Sequence, residues 1–228
     1  MGDVGGEECG VVGITSPDAA RKAFVGLRVL QHRGQESAGI AVFDGENTNQ
    51  FKDMGLVSVV FTPQRLAELK GDVAIGHVRY STTGSSSLDN AQPVIVDTAV
   101  GKMALAHNGD IANASALRAE RQEKFGWAFF TSSDSEIIVR LIADEFSRGR
   151  DVVGAIRAAM KILVGAYALV IMVNDTVYAV RDPLAVRPLC YGRVKGGYAV
   201  ASESIVLDFL EGGVFERDLR AGEILEIK

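Results

Sequence analysis

The longest uninterrupted apolar run of the chain, Ala166 to Val173, is eight residues long. Asn174-Asp175 follows at once, and then a second strand-like stretch, Thr176 to Arg181. Eight residues fall far short of the ~20 that a membrane-spanning helix needs. Asn-Asp between two such runs instead reads as a two-residue hairpin turn. Leu189 to Val194 and Tyr198 to Ser202, on either side of Lys195-Gly196-Gly197, read as another hairpin, and Glu223 to Ile227 as a closing strand. The C-terminal part is therefore expected to be antiparallel sheet.

Strands and helices are mixed in the part before it. Val11 to Ile14 has strand character. Ser16-Pro17 reads as an N-cap with proline at the first helical position, and Ala20, Ala23, Phe24, Leu27 and Leu30 follow at helical spacing until Gly34. Ala38 to Phe43 and Gln50 to Met54 read as paired strands around Asp44-Gly45, and Thr62-Pro63 opens a short helix that Gly71 stops. Val73 to Val78 is a strand running into a Ser/Thr/Gly-rich loop, and Met103 to His107 a buried strand expected to stop at Asn108-Gly109. Helices are expected over Ser115 to Glu123, after a Ser133–Glu136 capping box, and over Val152 to Leu163. Hairpins with segregated helices point to a single layered α+β domain.

Composition narrows the function. A chain of 228 residues, 47% of them apolar, can bury a sizeable core. A net charge of −5, with no basic run, argues against a nucleic-acid surface. The first eight residues are acidic and have no apolar core, so they are no secretory signal. The two cysteines, Cys9 and Cys190, have no metal or disulfide spacing and fit a reducing cytoplasm.

Cys9 sits between an acidic glycine-rich leader and the first strand. Read alone, it is a small buried hydrophobe. Cleavage between Glu8 and Cys9 would give it a second character, a thiol and an α-amine on one carbon. That amine, with a pKa of about 7.7–8.0, is partly neutral near pH 7 and can take the thiol proton. Such a nucleophile needs no histidine.

Three loop clusters could complete a site. Arg79, with the hydroxyls that follow it, can hold a carboxylate by two parallel hydrogen bonds, although an arginine there also reads as an ordinary ion pair. Asn108 with the Gly109 N–H can form an oxyanion hole, although Asn-Gly also reads as a plain turn. His107 reads as a structural histidine rather than a base. Asp134, in the first turn of its helix, either complements the helix dipole or binds an ammonium, and for Glu136 the helix-stabilising reading is the better one. Taken together, the groups describe a site for an amino acid with a side-chain amide or ester, and glutamine is the obvious candidate.

The order Cys9-Gly10-Val11-Val12-Gly13-Ile14, Leu30 to Gly39, the Arg79 loop, His107-Asn108-Gly109 and Ser133-Asp134-Ser135-Glu136 resembles class II glutamine amidotransferase domains of the N-terminal-nucleophile hydrolase superfamily. Gln31 to Ser37 and Arg181 to Leu189 are most similar to the amidophosphoribosyltransferase branch. The resemblance implies a four-layer αββα sandwich, residues 1–8 as a leader removed on maturation, and residues 9–228 as the glutaminase domain. It implies Cys9 as nucleophile, Asn108 and Gly109 as oxyanion donors, and Arg79, Thr82 and Asp134 as glutamine-binding residues. The loop from Arg79 to about Asn90 then orders over substrate. Glutamine becomes glutamate and ammonia, and the ammonia makes phosphoribosylamine from phosphoribosyl pyrophosphate at the opening of purine synthesis. The partner would be a phosphoribosyltransferase domain or subunit that this chain does not contain, with a homo-oligomer as the complete enzyme. No cofactor is implied here. Mg2+ would belong to the transferase domain, as would any iron–sulfur cluster. Two alternatives stay open: another class II amidotransferase, making glucosamine 6-phosphate, asparagine or glutamate, and a non-catalytic regulatory relative that keeps its leader.

Overall fold

In the computed structural model, residues 9–80, 87–99 and 101–228 are described. Two antiparallel sheets lie face to face. The first holds seven strands: β1 (Gly10–Thr15), β2 (Ser37–Phe43), β3 (Thr48–Met54), β4 (Val73–Arg79), β9 (Cys190–Val194), β10 (Gly197–Ala201) and β11 (Val214–Asp218), in the order β11-β9-β10-β1-β4-β2-β3. The second holds five: β5 (Val94–Thr98), β6 (Gly101–Ile111), β7 (Gly165–Val173), β8 (Thr176–Arg181) and β12 (Ile224–Ile227), in the order β12-β8-β7-β6-β5. Helix α1 (Ala19–Val29) covers the first sheet, with single turns α2 (Val57–Val60) and α7 (Ile205–Asp208) and the short α3 (Pro63–Glu68) at its margins. Helices α4 (Ala114–Phe125), α5 (Asp134–Ser147) and α6 (Val152–Met160) belong to the second. The layer order is αββα.

Period-two alternation builds this stack. Val12 and Ile14 of β1 pack toward α1, while Val11 faces the second sheet. Leu169, Ile171 and Val173 of β7 pack toward α5 and α6, while Ala168, Val170 and Met172 face the first sheet. Both faces of these strands are buried, which is why Ala166 to Val173 has no polar position. The layer between the sheets mixes alanines, Ala41, Ala104, Ala106, Ala168 and Ala179, with branched side chains such as Val11, Ile75 and Val170. A Cβ placed on Gly13 would sit 2.7 Å from a Val170 methyl, so the sheets are in close contact there.

Both hairpins form where the sequence places them, and Asn174 takes the left-handed conformation its turn requires, with φ 51°. Four expectations are corrected. Helix α1 begins at Ala19 behind Asp18, because Ser16 spends its N–H on the Asp72 carbonyl and its hydroxyl accepts from Lys22. Gly34 follows a 3₁₀ turn, Leu30–Arg33, and is extended; its missing side chain lets the Arg79 backbone pass. At α5, Ser133 caps the Ser135 N–H, while Glu136 turns away to accept from Phe130 and Thr131, so no capping box closes and Glu136 anchors a loop. Strand β6 does not stop at Asn108-Gly109 but runs on to Ile111, held by β7 through Asn108↔Ala168 and Gly109↔Tyr167. Strands β5 and β11 and the single turns α2 and α7 had no periodic signal long enough to read.

Candidate active site

Cys9 precedes β1 and is only partly buried. Its Sγ lies 3.4 Å from the Tyr80 N–H and 3.5 Å from the Tyr80 carbonyl, at the point where β4 ends. The pairing Gly10↔Val78 fixes this meeting of strand ends. Arg33 holds the nucleophile's backbone, its Nε donating to the Cys9 carbonyl at 3.1 Å and its Nη1 to Glu203 at 2.7 Å. Burial pushes the Cys9 thiol up. The Tyr80 N–H and the positive charges of Arg79 and Arg33 oppose this, and the Asp134 carboxylate adds to it.

Arg79 closes β4 with its side chain buried and ion-paired to Glu36. Glu36 in turn donates its N–H to the Arg79 carbonyl and gives its own carbonyl to Gly55. Asp134 lies on the other sheet's side. One carboxylate oxygen accepts from the Ile111 N–H at 3.1 Å, and the other sits 3.4 Å from His107 Nδ1. Burial works against its ionisation, but His107 and the N–H groups of Ile111 and Ser135 outweigh burial and hold its pKa below the usual carboxylate value.

Asn108 is fully buried, and among the described residues neither polar atom of its side chain has a hydrogen-bond partner. A buried unpaired amide costs about 1–3 kcal/mol, so such a group calls for an explanation. Gly109 has φ 144°, and a Cβ there would overlap the Ala166 carbonyl. N–H groups alternate sides along a strand. The His107 N–H and the Ile111 N–H both leave β6 on the side away from β7. The Gly109 N–H between them points the same way, past Val94, where β5 has already ended.

The three histidines are engaged elsewhere. His32 contacts the Val29 carbonyl and Glu203. His77, fully buried, donates from Nε2 to the His107 carbonyl at 2.9 Å, and burial takes its pKa down to about 3. His107 Nδ1 faces Asp134 and Ser135. Thr82, with Ser81, Ser85 and Ser86 of the loop after Tyr80, lies outside the described residues, as do residues 1–8. Among the described residues, no three His, Cys, Asp or Glu side chains gather to hold a metal ion.

Sequence reasoning passed over Glu36, Glu203 and Gln92. The first two serve as counterions of Arg79 and Arg33. Gln92 has only a weak signal, its place before Pro93 at the end of a loop. The Arg181–Leu189 motif is a corner: buried Asp182 accepts N–H groups from Tyr167, Leu184, Val186 and Arg187.

A thiol within electrostatic reach of a cation and a carboxylate suits a zwitterionic amino acid whose acyl carbon it can attack. Comparison with known proteins agrees. The glutamine amidotransferase domain matches residues 77–208, more than half of the chain. The chain belongs to the glutamine amidotransferase domain family. Amidophosphoribosyltransferase of Methanocaldococcus jannaschii is 46% identical over 223 residues, 96% of this chain and 47% of that protein. Amidophosphoribosyltransferase of Archaeoglobus fulgidus is 47% identical, over 96% of this chain and 48% of that protein. Among solved structures, glutamine phosphoribosylpyrophosphate amidotransferase from B. subtilis, complexed with ADP and GMP, superposes with a TM-score of 0.88 at 39% identity, over 96% of this chain and 47% of that one. The chain thus spans about half the length of the relatives it matches. No described helix is long and apolar enough to cross a membrane.

Proposed function

We propose that this chain hydrolyses glutamine to glutamate and ammonia, as the glutaminase part of an amidophosphoribosyltransferase. The meeting of Cys9 Sγ with the end of β4, within reach of the Arg79 and Asp134 charges, carries this reading. Removal of residues 1–8 exposes the Cys9 α-amine. With the histidines engaged elsewhere, that amine is the base that takes the thiol proton. Arg79, oriented by Glu36, holds the substrate carboxylate, with Thr82 beside it; Asp134 holds the α-ammonium. The thiolate adds to the amide carbon, and the oxyanion that forms takes hydrogen bonds from Asn108 Nδ2 and the Gly109 N–H. The carbon–nitrogen bond breaks, nitrogen leaves with the transferred proton as ammonia, and water cleaves the thioester to glutamate. This reaction asks for no cofactor. A transferase domain beyond this chain would pass the ammonia to phosphoribosyl pyrophosphate.

The test pairs intact mass with glutamate release from glutamine, on the wild type and on Cys9→Ala. A mass lacking residues 1–8, activity in the wild type and none in the variant are expected. Full activity of the uncleaved chain would overturn the free-amine base, and an active Cys9→Ala would overturn the nucleophile.

A further inference from the structure

We infer that Gln92 is a positioning residue for the two oxyanion donors. The inference rests on the proposed glutaminase reading and names a residue that reading does not use. Strand β5 pairs with β6 from Thr98↔Gly101 to Val94↔Leu105. Continued by two residues, that register would set the Gln92 backbone opposite His107; two more would set Asn90 opposite Gly109 and occupy the N–H the oxyanion needs. The chain leaves the sheet before that. In place of its backbone, Gln92 offers its side-chain amide, accepting from the His107 N–H at 2.7 Å and facing the His107 carbonyl with Nε2 at 3.5 Å. An N–H and a C=O on one residue fix which end of the amide is which. The ladder is thus extended by one residue and no further, and Asn108 and Gly109 come next along β6.

The strap that carries Gln92 is tied down on both sides. Lys52 of β3 donates to the Ala91 carbonyl at 2.6 Å, and Gln50 of β3 to the Pro93 carbonyl. The Gln92 carbonyl fills the space a side chain at Gly39 would need. Asn90 and Ser132 exchange two hydrogen bonds, 2.9 and 3.1 Å, beside the turn that presents Asp134. Gln92 is 5% exposed, so no water substitutes readily for its amide.

Gln92→Met keeps the volume and removes both bonds; Gln92→Glu keeps the acceptor and loses the donor. Displacement of a catalytic group by about 1 Å costs up to ~10²-fold. Both variants should lose about 10- to 100-fold in kcat, with KM for glutamine unchanged. Alkylation of Cys9 by iodoacetamide, which passes through no oxyanion, should keep its rate. An unchanged kcat, a rise in KM alone, or alkylation slowed in parallel would overturn the inference. Hydrogen exchange across residues 103–111 separates it from the reading it rests on. Faster exchange there in Gln92→Met supports the clamp even if the wild type proves inactive, an outcome that removes the glutaminase reading alone. Unchanged exchange overturns the clamp whatever the activity.

Discussion

His77 ties the two sheets together, and its burial has a price in acid. Its imidazole is fully buried, gives its one N–H to the His107 carbonyl, and has its pKa lowered from 6.5 to about 3. The unfolded chain protonates this ring as pH falls through 6.5; the folded chain refuses the proton until about pH 3. Stability is therefore complete above the unfolded pKa and declines as pH falls through the window between the two values. Between about pH 7.5 and pH 5.0 the loss amounts to about 2 kcal/mol, from ~1.4 kcal/mol for each pH unit below 6.5. His77→Gln can still donate to the His107 carbonyl but does not titrate. Urea unfolding of both proteins at the two pH values separates this effect from the carboxylates, which titrate in both. The wild type should lose about 2 kcal/mol more than the variant. Equal losses would show that the ring is protonated within the fold or reaches solvent, and would refute the argument.

Three further outcomes are expected. Asn108→Ala should lower kcat by about 10²–10³ while unfolding no more easily than the wild type, since it removes a buried amide without partners; urea curves beside glutaminase assays check both halves. Gly109→Ala should unfold several degrees lower in calorimetry and lose activity, because its Cβ would enter the Ala166 carbonyl at a φ of 144°. In the native protein, iodoacetamide should label Cys9 and spare Cys190, whose buried thiol is pushed up to about 12; peptide mapping of the alkylated chain reads this directly.

Much of this molecule could be read in its residues, because local chemistry and tertiary structure agree along most of it. The apolar run into Asn174-Asp175 has one good solution, and the strands around it alternate as the layers demand. What could not be read was tertiary in origin. An Asn-Gly pair usually marks a turn, yet β7 holds β6 straight through Asn108 and Gly109, so the turn signal lies within a strand. Ser16 looks like a cap until the Asp72 carbonyl claims its N–H from 56 positions away. Cys9, Arg79, Asn108 and Asp134 could be nominated from their chemistry, but the proposed site draws on both sheets and so depends on one sheet lying on the other. Gln92 had only the weak signal of its place before Pro93, since the register around it is set by strands on either side.

The close contact of the two sheets at Gly13 carries a consequence for how activity fails. Cys9 and Arg79 lie at the ends of two strands of one sheet, Asn108 on the other sheet, and Asp134 at the start of α5. On the proposed reading, neither half of the sandwich owns the reaction centre. In the proposed reaction, alignment of attacking sulfur with oxyanion donors is a property of the seam, where Gly13 brings the sheets into close contact. A slip along that seam would spoil the reaction while every strand and helix kept its form. If the proposed site is right, turnover gauges the contact between the two sheets, and should fade under heat or denaturant before circular dichroism records any loss of structure.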